Sequence, residues 1–249
     1  MDRDTMIAWL LEVGGPVVRY RAAVELAGGV AALERERLAS RLLDSAPVQR
    51  ALPYLVPSPG HHPLHGSRRD CFENAMGRLI LLGCRAGMPP LDEGTRRYRD
   101  WLADQIAHPT GEPFSGWYTA MVAAFLVMAG YRDAAARSVL LDRLAETAAF
   151  CREGRYDIYV DRCGYVGYPE AFHRYRLINP AIYGAQVAQL PSIHDLNGLA
   201  ALLVEEGNPA LWSNLEAVTA YVLHPAYHAL DDGYGVVWGG GRRYYTLGW

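Results

Sequence analysis

The sequence predicts an all-α protein built from repeated helix pairs, and two observations lead to this prediction. Four segments share one pattern, an apolar run at helical spacing that a glycine closes: residues 19–29, 72–83, 117–130 and 195–207. Amphipathic segments with arginine and glutamate on one face lie between them: residues 33–43, 95–106, 136–150 and 211–223. A helix that is apolar around most of its circumference is buried on more than one side. The alternation therefore indicates two concentric layers of helices or an α-solenoid.

Glycines and prolines predict where these helices end. A left-handed residue commonly follows a helix, and glycine adopts that conformation without strain. Three segments that combine glycine with aromatic residues are predicted to be loops: residues 108–117, 153–168 and 231–238. The proline-containing connectors at residues 53–63 and 88–90 are short and partly apolar, which is typical of turns rather than of linkers. The sequence thus predicts a single domain over residues 1–249.

Composition is that of a globular protein, and it excludes several functional classes. The chain is 51% hydrophobic and 20% charged, which is enough apolar content for a large core. A formal net charge of -3 argues against a basic surface for nucleic acid, so no nucleic-acid partner is predicted, although a cluster of arginines on one concave face would favour a helical-repeat DNA-repair protein. Every basic residue is arginine. The absence of lysine excludes a P-loop lysine and any Schiff-base lysine.

The chain ends and the cysteines predict a cytoplasmic protein. The N-terminal segment carries acids early and only a short apolar run, unlike a signal peptide. No apolar stretch approaches the length of a membrane span. Four cysteines without a CxxC motif do not indicate a disulfide framework. The sequence ends on an apolar, aromatic run, residues 244–249, so we expect the natural protein or its fold to continue beyond Trp249.

Two stretches resemble a known family. The opening AWLLEVGGPVVRYRAAVEL (residues 8–26) is similar to the W-L-L-x-x-x-x-P-x-V-R-Y start of many short bacterial prenyltransferase-like proteins. The last third, from LPSIHDLNGLAAL (190–202) to GRRYYTLGW (241–249), resembles a bacterial branch of these proteins. With its helix pairs and Gly/aromatic loops, the chain resembles the α/α toroid of terpenoid cyclases and protein prenyltransferase β-subunits. The resemblance implies an α/α toroid, as a closed or an incomplete ring. The D-x-D-D motif of the hopene cyclases is missing, which argues against direct polyprene cyclisation.

The same resemblance implies a zinc site as an alternative to a cofactor-free protein. Protein prenyltransferases bind zinc through an aspartate, a cysteine two residues later and a histidine at the start of a later core helix. Asp161, Cys163 and His194 follow this order. Three such ligands would leave the fourth position of zinc open for a thiolate substrate. Alternatively, Asp161 caps a turn or pairs with an arginine, Cys163 is a core thiol and His194 begins a helix. Our prediction is therefore no cofactor, with zinc as the alternative.

The irregular stretch from Tyr156 to Tyr183 is the predicted site of chemistry. It concentrates tyrosines together with acids, a histidine and arginine, and long loops with such content often carry function. The predicted acid–base pair is Asp157 or Asp161 with His173 or His194, because histidine titrates near neutral pH.

Further candidate residues stand in the Gly/aromatic segments and at the starts of the apolar helices, which would line the cavity of a toroid. The predicted substrate-binding residues are Arg19, Tyr20, Glu73, Trp117, Tyr118, Tyr159, Asp195 and Trp238. The alternative for the acids at helix starts is helix capping.

Two functions of different class follow from these residues. In the first, the protein is a cofactor-free enzyme, cyclase-, isomerase- or transferase-like, that performs acid–base chemistry on a hydrophobic or cationic small molecule in an aromatic-lined central cavity. Bacterial natural-product metabolism would suit such an enzyme. In the second, it is a non-catalytic helical-repeat domain that binds a small ligand or a peptide. An enzyme requires a carboxylate and an imidazole at one cavity, whereas a binding domain does not. The sequence predicts no oligomeric state.

Overall fold

The computed structural model describes residues 2–28, 30–55, 64–109, 115–182, 189–203, 209–231 and 234–247. This part of the chain is mostly helical, as the sequence predicts, and it also contains a small four-stranded sheet. The chain divides into two compact units, residues 1–100 with 129–131 and residues 101–128 with 132–249. Within the described ranges, no helix is both long and apolar enough to cross a membrane. Gly29, Gly207, Tyr183 and residues 110–114, which the sequence predictions include, lie outside the described residues.

The regular elements described in the first unit are all helical, and turns and bends connect them. Its helices are α1 (Arg3–Val13), α2 (Pro16–Arg21), α3 (Ala32–Leu43), α4 (Ala46–Ala51), α5 (Phe72–Leu81) and α6 (Pro89–Ala107), with the unit boundary inside α6. A π-helical turn, Ala22–Leu26, continues α2, and a 3-10 turn, Leu52–Tyr54, follows α4. Proline at the first position of α2 loses no hydrogen bond, because that N–H has no partner within a helix.

The second unit contains the helices α7 (Ser115–Met128), α8 (Ala134–Arg152), α9 (Ile193–Leu203), α10 (Pro209–Leu223) and α11 (Pro225–His228). The apolar helix α7 is buried over most of its length, as its sequence predicts. Gly83 after α5 and Gly130 after α7 both have a positive φ, of 98° and 92°. The predicted glycine stops are therefore confirmed at these two helix ends.

The helices of the second unit pack as neighbouring pairs. Helix α7 packs against both α8 and α9, and α8 also packs against α9 and α10. Leu140 of α8 lies against Gly198 of α9, and Arg143 lies against Asp195, so α8 and α9 run antiparallel. The short connection from α7 to α8 makes these two helices antiparallel as well. Consequently α7 and α9 run in the same direction, and their N-terminal ends lie close together.

A four-stranded sheet completes the second unit and was not predicted from the sequence. Its strands are β1 (Tyr159–Val160), β2 (Leu177–Ile178), β3 (Gly235–Trp238) and β4 (Tyr244–Leu247), in the order β1-β2-β3-β4. The pairs β1/β2 and β3/β4 are antiparallel, and β2 pairs with β3 in parallel, with Leu177 opposite Val236. Two of the three segments predicted to be loops therefore contain strands. The strands are too short to show the alternation of apolar and polar residues by which a strand is recognised in a sequence.

Gly198 allows α7 and α9 to approach each other, and its replacement should weaken the protein. A Cβ atom at this position would lie 2.9 Å from Cβ of Ala124 and 3.0 Å from Cδ2 of Leu140. Gly198→Ala should therefore lower the free energy of unfolding by about 1–2 kcal/mol, although alanine favours a helix more than glycine does. Urea denaturation measures this change. Gly164→Ala is the control, because a Cβ there meets no atom within 4 Å; equal effects of the two variants would contradict the prediction.

Candidate functional site

The loop between β1 and β2, residues 161–176, folds over one face of the sheet. Tyr165, Tyr168 and Phe172 of this loop pack against the buried cluster of Leu177, Val236 and Tyr244. The hydroxyl oxygen of Tyr168 lies 3.2 Å and 3.1 Å from the carbonyl oxygens of Phe172 and Tyr175. These contacts give the loop a small core of its own, which is typical of compact loops that carry function.

A pocket of about 460 Å³ lies at the base of this loop, where the chain leaves β1 and returns to β2. We call it the loop-base pocket. It is lined by Tyr159, Val160, Asp161, Arg162, His173, Arg174, Tyr175, Arg176 and Leu177. Nη1 of Arg162 donates a hydrogen bond of 2.6 Å to the carbonyl oxygen of His173, which ties the two ends of the loop together. The volume falls within the range of sites that bind small molecules.

The arginines of the loop-base pocket are held against tyrosine rings. The guanidinium carbon of Arg176 lies 3.6 Å from the ring centroid of Tyr159, and that of Arg174 lies 4.7 Å from the ring of Tyr175. Arg174 also donates to the hydroxyl of Tyr175 at 2.7 Å. At the rim, Nη1 of Arg176 is 4.0 Å from Oδ1 of Asp231. A guanidinium group stacked on a ring is fixed in orientation, while the N–H groups at its edge remain in position to bind an acceptor.

Asp161, which lines this pocket, also has a structural role. Its carboxylate accepts a hydrogen bond of 2.9 Å from the backbone N–H of Cys163 and caps the 3-10 turn Arg162–Gly164. That hydrogen bond lowers the pKa of the Asp161 carboxyl, so the group is ionised at neutral pH. The hydrogen bond between the two side chains also raises the pKa of the Cys163 thiol, because it favours the protonated sulfur.

The structure brings together three of the residues predicted to carry chemistry. Tyr159, Asp161 and His173 line the loop-base pocket, whereas Asp157 is exposed and is not part of its lining. Arg162, Arg174 and Arg176 lie within the stretch predicted to carry chemistry, whose arginine was counted among its functional groups, but none of the three was assigned a catalytic or substrate-binding role. The signal that could identify two of them is the R-Y-R sequence at residues 174–176, where alternating arginines flank a tyrosine just before a strand.

A second group of predicted residues lies at the N-terminal ends of α7 and α9. His194 is only 6% exposed, and its ring lies 5.3 Å from that of Trp117 and 5.6 Å from that of Phe125. The ring of Tyr118 lies 5.3 Å from that of Trp117. The predicted proximity of these helix starts is therefore observed, but His194 packs within an aromatic cluster and is not part of the loop-base pocket lining.

The ligand set considered for zinc is not assembled. Asp161 caps the turn at Cys163, the Cys163 side chain is exposed, and His194 is buried between two aromatic rings. Across the described residues, no three His, Cys, Asp or Glu side chains are grouped so that they could hold a metal ion. The alternative of a capping Asp161 matches the geometry, while the alternative of a core thiol does not match the exposed Cys163.

Asp195 is a structural residue and not an accessible substrate contact. It is 1% exposed, and its two oxygens bind Nε and Nη2 of Arg143 at 3.0 and 3.1 Å. Oδ2 also accepts from the backbone N–H of Ser192 at 2.8 Å and from its hydroxyl at 2.9 Å. Since Ser192 Oγ accepts in turn from the N–H of Asp195, the two residues form a capping box at the start of α9.

The other predicted substrate-binding residues contact different parts of the protein. Tyr20 is buried in the first unit, where Arg19 donates to the carbonyl oxygen of Glu12. Glu73, in the same unit, lies 2.5 Å from Nδ1 of His65. In the second unit, Trp238 packs at the edge of the sheet cluster and donates through Nε1 to the carbonyl oxygen of Gly241 at 3.0 Å. None of these side chains is among the residues that line the loop-base pocket.

Comparison with known proteins gives no family for this chain. No protein-family profile matches the sequence, and no curated protein and no solved structure matches it significantly. The resemblance to the α/α-toroid proteins therefore rests on the sequence pattern. Function has to be inferred from the chemistry of the site.

The buried pair of Arg143 and Asp195 should contribute strongly to stability. Asp195→Asn would leave the buried Arg143 charge with only the exposed Glu146, 3.9 Å away, as an acidic partner, which should lower the free energy of unfolding by about 3 kcal/mol. Glu34→Gln is the control, because it breaks the exposed pair of Glu34 with Arg37, whose loss should change the stability little. Chemical denaturation compares the two variants. A loss for Asp195→Asn as small as that of the control would show that the buried pair contributes little.

Cys163 should be a slowly reacting exposed thiol whose rate is set by Asp161. Because the carboxylate raises the thiol pKa, little thiolate is present at pH 8. Asp161→Asn should lower that pKa and speed alkylation by iodoacetamide roughly two- to fivefold. Mass spectrometry of the modified peptide gives the rate. Asp157→Asn, which removes an exposed carboxylate of the same segment, should leave the rate unchanged; an unchanged rate in Asp161→Asn would refute the assignment.

Proposed function

We propose that the protein is a non-catalytic ligand-binding protein whose loop-base pocket recognises an anionic group on a small organic molecule. One observation supports this proposal above all others. Three guanidinium groups, those of Arg162, Arg174 and Arg176, line one pocket whose described lining contains a single carboxylate, that of Asp161. This proposal corresponds to the second function expected from the sequence.

Electrostatics favours an anion over the cationic ligand that the sequence led us to expect. Each pair of like charges within one pocket repels by an energy on the order of 1 kcal/mol, and an anion relieves this repulsion. A cation would increase it. The rings of Tyr159 and Tyr175, which could otherwise attract a cation, each already have an arginine of the pocket stacked on one face. The aromatic character of the site therefore serves to orient the arginines.

The remaining lining suits the organic part of a ligand. Val160 and Leu177 contribute apolar side chains beside the tyrosine rings. The arginines are oriented before the ligand arrives, because stacking and the hydrogen bond from Arg162 to the carbonyl oxygen of His173 restrict them. Such preorganisation lowers the entropy lost on binding.

An acid–base enzyme is the second candidate, because Asp161 and His173 line the same pocket. A general base works best when its pKa lies near the working pH. The pKa of Asp161 is instead lowered by the N–H of Cys163, and its carboxylate is already bound to that N–H. Binding without catalysis therefore agrees better with the geometry. Turnover of a bound ligand that His173→Gln abolishes without weakening binding would favour the enzyme.

The proposal is tested by thermal and chemical unfolding in the presence of small ions of opposite charge. Phenyl phosphate and citrate should stabilise the protein, by about 2.7 kcal/mol at a concentration one hundred times the dissociation constant, whereas phenyltrimethylammonium should not. The double variant Arg174→Gln/Arg176→Gln should lose this stabilisation. Its control, Arg155→Gln/Arg96→Gln, removes the same charge at exposed positions outside the pocket lining. Stabilisation by the cation, or equal stabilisation of both double variants by the anions, would refute the proposal.

A further inference from the structure

We infer that the anionic group recognised by the loop-base pocket is a phosphomonoester carried by a small organic molecule. This inference rests on the proposed function and narrows its ligand class. It follows from the number and placement of the donors, which favour a phosphoryl group over a carboxylate, and from the net charge of the site, which favours it over a carboxylate and over a sulfate ester.

The arginines enter the pocket from both ends of the loop. Arg162 stands where the chain leaves β1, while Arg174 and Arg176 stand where it returns to β2. A carboxylate has two oxygens in one plane, and a single arginine can satisfy both. A phosphomonoester presents three terminal oxygens in a tetrahedral arrangement. It can therefore accept hydrogen bonds from guanidinium groups that approach from different sides.

The charge of the pocket matches a dianion better than a monoanion. Three guanidinium groups face the ionised carboxylate of Asp161, and Asp231 lies 4.0 Å from Arg176 at the rim. The lining alone, to which Asp231 does not belong, therefore has a surplus of two positive charges. A phosphomonoester carries about -1.5 to -2 at pH 7, whereas a sulfate ester or a carboxylate carries -1. A phosphomonoester is thus the ligand that comes nearest to neutralising the site.

The other groups at the pocket are compatible with this ligand. Burial raises the pKa of Tyr159, so its phenol is neutral near pH 7. His173 and Tyr175 complete the polar lining. An experiment on pH dependence needs a reference ligand whose own charge stays constant. A sulfate ester provides this reference.

Calorimetric titration with four probes tests the inference. At pH 7.5, phenyl phosphate should bind about tenfold more tightly than phenyl sulfate, because it carries more negative charge, and about tenfold more tightly than benzoate, because it also accepts additional hydrogen bonds from charged groups. It should also bind more tightly than inorganic phosphate, which lacks the organic part. Between pH 7.5 and 5.5, phenyl phosphate loses charge around its second pKa of about 6, while phenyl sulfate does not. The ratio of their affinities should therefore fall toward one.

Variants locate the binding to the three arginines. Arg174→Gln and Arg176→Gln should each weaken phenyl phosphate about tenfold and bring its affinity closer to that of benzoate. Arg162→Gln should weaken phenyl phosphate binding to a similar extent. This variant also loses the hydrogen bond to the His173 carbonyl oxygen, so if it unfolds the loop, the Arg174 and Arg176 variants still test the inference. Arg155→Gln is the matched control, since Arg155 pairs with Glu153 outside the pocket lining. Its affinity for phenyl phosphate should not change.

The outcomes separate this inference from the proposed function. Benzoate and phenyl sulfate could bind as tightly as phenyl phosphate, with the arginine variants weakening all three. This result would refute the inference that the ligand is a phosphomonoester, but the proposed anion binding would stand. If inorganic phosphate binds as tightly as phenyl phosphate, the organic part of the ligand is refuted. If none of the four probes binds, both the inference and the proposed function fail.

Discussion

The ion pair of Arg143 and Asp195 is the interaction on which the second unit most depends. Both side chains are almost fully buried, and Arg143 also donates to the carbonyl oxygen of Leu190 at 2.8 Å. One arginine of α8 thereby fixes both the start of α9 and the chain that leads into it. Removing two charges from water costs free energy. The pair offsets this cost because the bidentate contact with Arg143 and the hydrogen bonds from Ser192 satisfy both carboxylate oxygens of Asp195. This cost also explains why Asp195 is unavailable to a ligand.

The sheet depends on contacts between distant parts of the chain. β2 lies between β1, its neighbour in sequence, and β3, which follows nearly sixty residues later. Gly235 permits this pairing, because a Cβ atom there would lie 2.4 Å from the carbonyl oxygen of Arg176. The N–H of Val236 donates to that same oxygen at 2.9 Å. The backbone of a pocket arginine is thus held by the C-terminal strands, so the candidate site is complete only when both ends of the second unit are folded.

Because the chain contains no lysine, the permanent positive charges of the loop-base pocket all belong to arginines. Arginine keeps its charge at every accessible pH, and its flat guanidinium group stacks on tyrosine in a way that an ammonium group does not. Arg174 and Arg176 both use this property. The residue types that suggested an aromatic cavity for apolar or cationic ligands therefore support, in this arrangement, the proposal of an anion site. The difference arises because arginines of the pocket occupy faces of Tyr159 and Tyr175.

The sequence by itself determined the mostly helical class, eight of the helical segments and the glycine stops after α5 and α7, because hydrophobic periodicity and glycine conformation are local properties. It also located the loop that carries Tyr159, Asp161 and His173. Only the tertiary structure decided the four-stranded sheet, since pairing between β2 and β3 joins residues far apart in sequence. Likewise, only the tertiary structure shows that His194 lies in an aromatic cluster and not in the pocket that Asp161 lines, and that Arg162 shares this pocket with Arg174 and Arg176. Which side chains share a pocket depends on how the loop closes, and no local pattern encodes that closure.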